Sequence, residues 1–219
     1  MLGLAHAHRI VAMTDARDIT ETGWRGSREG WLDAAKSALI ESGIGAVKIQ
    51  PLAERIGLSR TSFYWFFKDR AAVLDALLED WEATNTGALV SACDAYAETV
   101  QEAVLNLIAV FLDDGGFEAR FDFAIRGWAH QSDAVRARVA QADETRLAAI
   151  RALFARYGYD GDEADVRART IYLVQIGYIS MQVEEDLETR LARFPHYVQT
   201  YTGQPPTANE MARFASRFR

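Results

Sequence analysis

Three polar side chains within five residues have the chemistry to read DNA bases. Arg60, Thr61 and Tyr64 carry a guanidinium group, a hydroxyl with its methyl group, and a phenol. Arginine can donate two hydrogen bonds to O6 and N7 of guanine, and threonine can contact a thymine methyl group or a phosphate. Flanking side chains suit phosphate contacts, which position a protein on DNA without reading its sequence. These flanking residues are Lys48, Gln50 and Lys68.

Two short helices must hold these side chains. The sequence predicts one helix over 49–56 and a second over 60–66, joined by a three-residue turn that contains Gly57. Pro51 falls in the first turn of the first helix, where a missing N–H breaks no hydrogen bond, and Ser59 can cap the second helix. This arrangement is typical of a helix-turn-helix, whose second helix enters the major groove. The residues expected to lock the two helices together are Leu52, Ala53, Ile56, Leu58 and Phe63.

Charge is distributed unevenly along the chain. The 219 residues have a net charge of −7, but residues 25–70 contain eight basic and five acidic side chains, which makes that segment +3. Residues 71–219 carry −9. A basic segment joined to an acidic one indicates that only the first binds a polyanion. The second favours a neutral, cationic or amphipathic ligand.

The remaining sequence also predicts helices. Apolar residues are 49% and charged residues 25% of the chain, as in ordinary soluble proteins. Apolar positions recur with helical spacing over 28–42, from Arg70 past Trp81, and over 97–113, 117–130, 133–157, 162–186, 188–202 and 208–218. The predicted fold is therefore all-α. We divide it into a flexible leader (1–24), a DNA-binding domain (25–70) and a ligand-binding and dimerisation domain (71–219).

Several classes of protein are excluded by composition and spacing. No apolar run approaches the roughly 18 residues of a membrane span, and no secretory signal precedes the first charges. Cys93 is the single cysteine, so an internal disulfide is impossible and a cytoplasmic location is predicted. The four histidines lack further ligands at metal-binding spacing. No nucleophile elbow or phosphate-binding glycine loop is present, so we expect no metal, no cofactor and no enzyme activity.

The helix-turn-helix segment resembles a known family. The segment GLSRTSFYWFFK at residues 57–68, followed by Asp69-Arg70 and a leucine-containing helix, is similar to the DNA-binding domain of the tetracycline-repressor (TetR) family. The resemblance covers about residues 25–85. It implies a homodimeric transcriptional regulator, usually a repressor, that a small hydrophobic effector releases from a palindromic operator in double-stranded DNA. The groove-facing positions of the family fall on Arg60, Thr61, Ser62 and Tyr64, and its phosphate-binding aromatic position falls on Trp65.

The second domain is expected to enclose an apolar effector pocket. Its aromatic residues are numerous enough to line one, since ligand pockets are mostly apolar with a few polar groups. We place the pocket between the helices predicted over 97–113 and 117–130 and the first half of 162–186. The candidate lining residues are Phe111, Phe121, Trp128, Tyr172 and Gln175.

The same domain is expected to hold two copies together. A short recognition helix reads too few base pairs to select one site, so two half-sites must be read jointly by a symmetric dimer. The helices predicted over 133–157 and 162–186 suit a four-helix bundle between two copies. Their apolar stripes contain Val135, Val139, Leu147, Ile150, Phe154 and Tyr157 on one helix and Ile171, Val174, Tyr178 and Met181 on the other.

Two alternatives remain open at the level of sequence. One is a helical small-molecule-binding protein or enzyme with an incidental helix-turn-helix, which binding to DNA beside its own gene would argue against. The other is a regulator that has no effector and responds only to its own concentration. A solvent-accessible cavity or a co-purifying ligand would count against this second alternative.

Overall fold

The structure, a computed structural model, describes residues 26–112 and 116–218. These residues form eleven α-helices and no strand, so the predicted all-α fold is confirmed. The helices are α1 (Arg28–Ser42), α2 (Ile49–Arg55), α3 (Arg60–Phe63), α4 (Arg70–Trp81), α5 (Gly87–Asp94), α6 (Val100–Ala109), α7 (Ala119–Ala129), α8 (Asp133–Arg156), α9 (Gly161–Ser180), α10 (Leu187–Thr202) and α11 (Ala208–Ala215). None of these helices is both long and apolar enough to cross a membrane. The leader predicted for residues 1–24 lies outside the described residues.

The helix starts that the sequence predicts carry the expected capping bonds. Side-chain oxygens of Ser27, Ser59 and Asp69 accept hydrogen bonds from backbone N–H groups in the first turns of α1, α3 and α4. Thr207 and Glu210 form the predicted capping box at the start of α11. Each bond satisfies a backbone donor that has no partner within its helix.

Some helix ends differ from the prediction. The α-helical part of α3 stops at Phe63, and residues 64–66 continue as tighter turns in which each N–H bonds to the carbonyl three residues back. Helix α9 ends at Ser180, because Gln182 adopts a left-handed conformation with φ of 50° that stops the helix. A π-helical turn over Glu82–Thr86 joins α4 to α5 without a break, a continuation that the sequence only suggested.

The buried side chains form two hydrophobic cores. The first contains residues of α1–α4, of α7 and of the first half of α8. The second joins α5, α6 and the second half of α8 to α9, α10 and α11. Trp81, Phe121 and Trp128 belong to the first core, so packing is continuous across residue 70. The functional boundary placed at residue 70 stays a prediction.

Most of the stripe predicted to join two copies packs inside a single chain. Six of its ten members are buried in the two cores and pack within one chain, as part of such a stripe must: Val135, Val139, Leu147, Ile150, Phe154 and Ile171. Which of the remaining members join two copies stays a prediction. Met181 remains 78% exposed.

Candidate nucleic-acid interface

Helix α3 is fixed from behind by a buried aromatic anchor. The Phe63 ring is fully buried and meets Trp31 of α1 edge-on, with 5.3 Å between ring centroids. It also stacks on Phe67 at 5.5 Å. Leu52 and Ala53 of α2 are buried in the same core. Because α3 has a little over one turn of regular helix, this anchor rather than helix length sets its orientation.

The opposite side of α3 is open to solvent. We define the recognition surface as the exposed side chains Lys48, Gln50, Arg60, Thr61, Tyr64, Trp65 and Lys68. Tyr64 is 48% exposed and Trp65 is 63% exposed, which is unusual for aromatic side chains beside a core. Nη2 of Arg60 donates to the Tyr64 hydroxyl at 3.2 Å, so the two side chains project together. Within the described residues, Arg60, Lys48 and Lys68 have no carboxylate at ion-pair distance.

Ser62 does not belong to this surface, which corrects the assignment of that position to the groove-facing set. It is buried, and its hydroxyl donates to the Ser59 carbonyl at 2.6 Å. Its backbone N–H in turn bonds to the Ser59 side chain at 3.3 Å. Ser62 therefore stabilises the start of α3 and faces away from where DNA would lie.

The flanking residues of the recognition surface are held by local geometry. Lys48 is the N-cap residue of α2 but makes no side-chain capping bond, which leaves its ammonium group in solvent. Gln50 donates to Glu54 one turn later at 2.8 Å. Arg70, for which the sequence predicted a helix start but no contact, donates to the carbonyls of Val47 at 2.5 Å and Ile44 at 2.9 Å. The capping residue Asp69 indicates from sequence that α4 starts at Arg70. The contact of Arg70 with the loop before α2 has no such local signal.

The second domain contains a cleft rather than the predicted apolar pocket. The cleft has a volume of about 580 Å³ and exposes polar and apolar surface in similar amounts. Phe111 and Gln175 line it as predicted, but its walls use the second half of α9 and the residues after it, not the first half. The lining residues are Ile40, Phe111, Ala119, Arg120, Phe123, Gln175, Tyr178, Ile179, Gln182, Val183, Glu184 and Arg190.

The other three residues predicted to line the pocket lie elsewhere. Phe121 is fully buried in the first core beneath the ammonium group of Lys36, 4.6 Å from its ring centroid. Trp128 belongs to the same core. Tyr172 is buried and its hydroxyl joins a group of charged side chains. These three aromatic residues pack the interior. The abundance of aromatic residues in this domain therefore did not show which of them line a pocket.

The buried charge cluster consists of Asp122, Arg126, Asp143, Arg146 and Tyr172, contributed by α7, α8 and α9. Asp122 and Arg146 are completely buried and bond at 3.0 Å. Arg126 donates to Asp122 at 2.7 Å and to both oxygens of Asp143. The Tyr172 hydroxyl donates to Asp143 at 2.6 Å and accepts from both arginines. The cluster joins three helices by hydrogen bonds between residues far apart in sequence, which no local sequence pattern predicts.

The arginines set the ionisation of this cluster. Burial raises the pKa of Asp122, but the charges and hydrogen bonds of Arg126 and Arg146 outweigh that effect, so its pKa lies below the ordinary value. Burial raises the pKa of Tyr172 well above its ordinary value. Its hydroxyl therefore stays protonated and available as a donor. The charged groups of the cluster are thus paired with one another within the fold.

The exposed polar face of α3, carried on an all-helical body, places this chain among the helix-turn-helix proteins. Residues 32–77 match the family model for bacterial regulatory proteins of the tetR family. Over 51 residues the chain is 40% identical to the class D tetracycline repressor protein of Escherichia coli. That alignment covers 23% of this chain and 23% of the repressor, so less than a quarter of the relative is matched in sequence.

Solved structures match over most of the chain. A protein of Mesorhizobium loti described as a TetR-family transcriptional regulator has a TM-score of 0.59 and 17% identity, covering 80% of this chain and 95% of its own. AmtR of Mycobacterium smegmatis has a TM-score of 0.58 and 17% identity, covering 90% of this chain and 97% of its own. The expected resemblance is thus confirmed. Residues 32–77 therefore match the tetR family in sequence, and the helices that follow share the fold of these solved structures.

Proposed function

We propose that this chain is a dimeric transcriptional regulator that binds a palindromic operator in double-stranded DNA. In this proposal it acts as a repressor, and a small effector in the cleft releases it. The observation that carries the proposal is the recognition surface on α3, where base-reading and phosphate-binding side chains are exposed together on a rigid support. The basic charge of residues 25–70 supports the same partner.

The recognition surface contains both kinds of side chain that sequence-specific DNA binding requires, those that contact bases and those that contact phosphates. Arg60 and Thr61 are the exposed side chains at the amino-terminal end of α3, the end that contacts bases in helix-turn-helix proteins. Lys48 and Lys68 lie on either side and suit phosphates, as does the indole N–H of Trp65. We therefore assign base reading to Arg60 and Thr61, with the Tyr64 phenol supporting the guanidinium group.

The outer face of α8 and α9 supports pairing of two copies. Val166 is 64% exposed and Leu173 is 60% exposed, and the two lie seven residues apart on one side of α9. The adjacent exposed positions of α8 include small side chains, Ala148 and Ala152. Small and apolar side chains on two neighbouring helices allow close packing with the same pair from a second copy. We assign the dimer interface to this face in place of the buried stripe.

Binding to DNA from the flanks of its own gene tests the proposal. The full chain should protect two half-sites one or more helical turns apart, roughly 34–36 Å per turn, and sediment as a dimer at micromolar concentration. Arg217→Ala is a matched control, because Arg217 is an exposed arginine far along the chain from α3. It should bind as the wild type does. A monomer with a single half-site footprint, or equal affinity for the flanking and unrelated DNA, would refute the proposal.

No described side chain favours the alternative of an enzyme. Within residues 26–112 and 116–218, no three His, Cys, Asp or Glu side chains are placed to hold a metal ion. Burial raises the pKa of the Cys93 thiol to about 12, which keeps it protonated and unreactive near neutral pH. The proposed activity is therefore binding.

A further inference from the structure

We propose that the cleft binds an amphipathic molecule with one anionic group, such as an organic carboxylate. Its apolar body would lie against Phe111, Phe123 and Ile179, and its anionic end against Arg120 and Arg190. The binding is inferred from the cleft alone. Only the description of that molecule as the effector rests on the proposed function.

The size of the cleft suits a small organic molecule. Its volume of about 580 Å³ lies within the range of roughly 300–1,000 Å³ of small-molecule sites. A second void, beside Glu185 and Tyr201, measures about 10 Å³, which is space for about one water molecule. Gln175 lines both spaces and is buried, so its amide can supply a hydrogen bond at the inner end of the larger one.

Two arginines line the cleft without an ion-pair partner among residues 26–112 and 116–218. Among the described residues, neither Arg120 nor Arg190 has a carboxylate at ion-pair distance, although most arginines of the second domain do. The Arg190 guanidinium lies over the ring of Tyr178, 5.5 Å from its centroid. This contact orients the cation toward the cleft and leaves its N–H groups available.

A carboxylate close enough to Arg120 to feel its charge, that of Glu41, is already engaged. Arg55 donates to both oxygens of Glu41, at 2.9 and 2.6 Å. The pKa of Glu41 is lowered mainly by the hydrogen bond from Arg55, with a smaller Coulombic contribution from Arg120. Glu41 is thus hydrogen-bonded to Arg55, and a ligand carboxylate would give Arg120 a bonded partner of its own.

The charges around the cleft favour one negative group over several. Glu184 lines the cleft together with the two arginines, so the described lining carries one excess positive charge. Residues 71–219 as a whole carry −9, which repels a polyanion. The apolar side chains cover the rest of the wall. A monoanion with an apolar body matches this combination better than a sugar, a polyphosphate or a neutral hydrocarbon.

The cleft also touches the DNA-binding part of the chain. Ile40, which lines it, belongs to α1, the helix that carries the Trp31 ring against Phe63. Lys36, one turn earlier, bonds to Glu118 just before α7 at 2.5 Å and to Asp80 of α4 at 3.1 Å. A ligand packed between Ile40 and the α9–α10 segment therefore acts directly on α1, and through it on the position of α3.

Matched pairs of carboxylates and primary amides test the inference by calorimetry on the full chain. The probes are naphthalene-2-acetate, decanoate and their amides, which differ in charge but little in shape. We expect the carboxylates to bind about 10- to 100-fold more tightly than the amides, as for hydrogen bonds to a charged group. Arg190→Gln and Arg120→Gln should each reduce that preference. Arg217→Gln, an exposed arginine outside the cleft, should retain it.

Each outcome decides the question separately from DNA binding. Equal affinity for acid and amide, unchanged preference in both cleft variants, or no binding of any carboxylate up to millimolar concentration would overturn the inference. Operator binding is measured without probes, so its failure contradicts the proposed function and leaves carboxylate binding to stand by itself. If both hold, adding a bound carboxylate should change operator affinity in the wild type and not in Arg190→Gln.

Discussion

The recognition surface and the buried charge cluster each contain a hydrogen-bonded arginine–tyrosine pair, and the two regions differ in what surrounds that pair. In the first, Arg60 donates to the hydroxyl of Tyr64 at 3.2 Å in solvent. In the second, Arg126 donates to the hydroxyl of Tyr172 at 3.1 Å in the interior. The buried arginines are neutralised by aspartates, whereas Arg60 has no carboxylate among the described residues. The arginine–tyrosine pair of the recognition surface is thus free to bind a partner molecule, whereas the pair in the cluster is bonded to aspartates of the same chain.

Removing the charge of Asp122 gives the largest expected effect. The Asp122→Asn variant leaves Arg146 buried without its carboxylate, and breaking a buried pair costs about 3–5 kcal/mol of unfolding free energy. Urea unfolding at pH 7, followed by circular dichroism, measures the loss. Asp133→Asn is the control, because that aspartate is highly exposed and pairs only with Arg136. A loss below about 1 kcal/mol for Asp122→Asn would show that the cluster contributes as little as a surface pair.

The pH dependence of that difference follows from the pKa of Asp122. Its folded-state pKa lies below the ordinary value of 3.8, so its contribution to stability is fully present above that value. The contribution is lost as the pH falls through the lowered folded pKa. Wild type and Asp122→Asn should therefore converge in stability on strong acidification. A constant difference down to pH 2 would contradict this assignment.

Removing Arg60 should affect DNA binding and leave folding unchanged. Arg60→Ala is expected to weaken operator binding by about 1–3 kcal/mol and to relax specificity at one position of each half-site. Fluorescence anisotropy with single-base operator variants measures both changes. Unfolding free energy should stay within about 0.5 kcal/mol of wild type, because Arg60 is exposed. Equal losses on operator and random DNA would place Arg60 among the phosphate contacts instead.

A tyrosine-to-phenylalanine substitution in the cluster and in the recognition surface compares the two regions directly. Tyr172→Phe removes a hydroxyl that bonds to Asp143 and both arginines, and should cost about 1–2 kcal/mol of stability. Tyr64→Phe removes an exposed hydroxyl and should leave stability unchanged while lowering operator affinity. Urea unfolding measures the stability of both variants, and fluorescence anisotropy measures their operator affinity. The distinction between the regions fails if the two variants change the same property.

The lysines of the recognition surface give the smallest expected effects. Lys48→Ala and Lys68→Ala should each weaken binding to all DNA sequences alike, by less than about 1 kcal/mol near physiological salt. Each should also lower the slope of log affinity against log salt concentration by about one. Anisotropy titrations at several salt concentrations measure that slope. A sequence-dependent loss would instead mean that the lysine reads a base.

How well each region could be predicted depends on how far apart its residues are in sequence. The capping Ser59, the turn at Gly57 and the apolar Phe63 lie within a dozen residues, so the helix-turn-helix could be predicted. Ser62 was assigned to the groove from the family resemblance, which does not show that its hydroxyl bonds to the Ser59 carbonyl. The bonds from Tyr172 to Asp143 and Arg126 connect residues 29 and 46 positions apart. Local pattern carries no information about such contacts, so an interior tyrosine was mistaken for a pocket wall.

The position of the cleft could not be predicted either, because its lining residues are far apart in sequence. Its lining comes from α1, α7, α9 and α10, and α9 stops six residues before the predicted end. That early stop allows Gln182, Val183 and Glu184 to form one side of the cleft. The two arginines that give the cleft its charge come from α7 and α10 and line it together, which composition does not show.

The π-helical turn between α4 and α5 has a consequence for the winding of the whole stretch over 70–94. Buried positions recur at every fourth residue here: Val73, Leu77, Trp81, Asn85, Leu89 and Cys93. Four residues of a regular α-helix advance about 40° beyond a full turn, so five such steps would drift by about 200° and carry this row toward the opposite side. The wider turn over Glu82–Thr86 takes more residues per revolution and offsets part of that drift. The row of buried positions therefore drifts less around this stretch than it would around a regular α-helix of the same length.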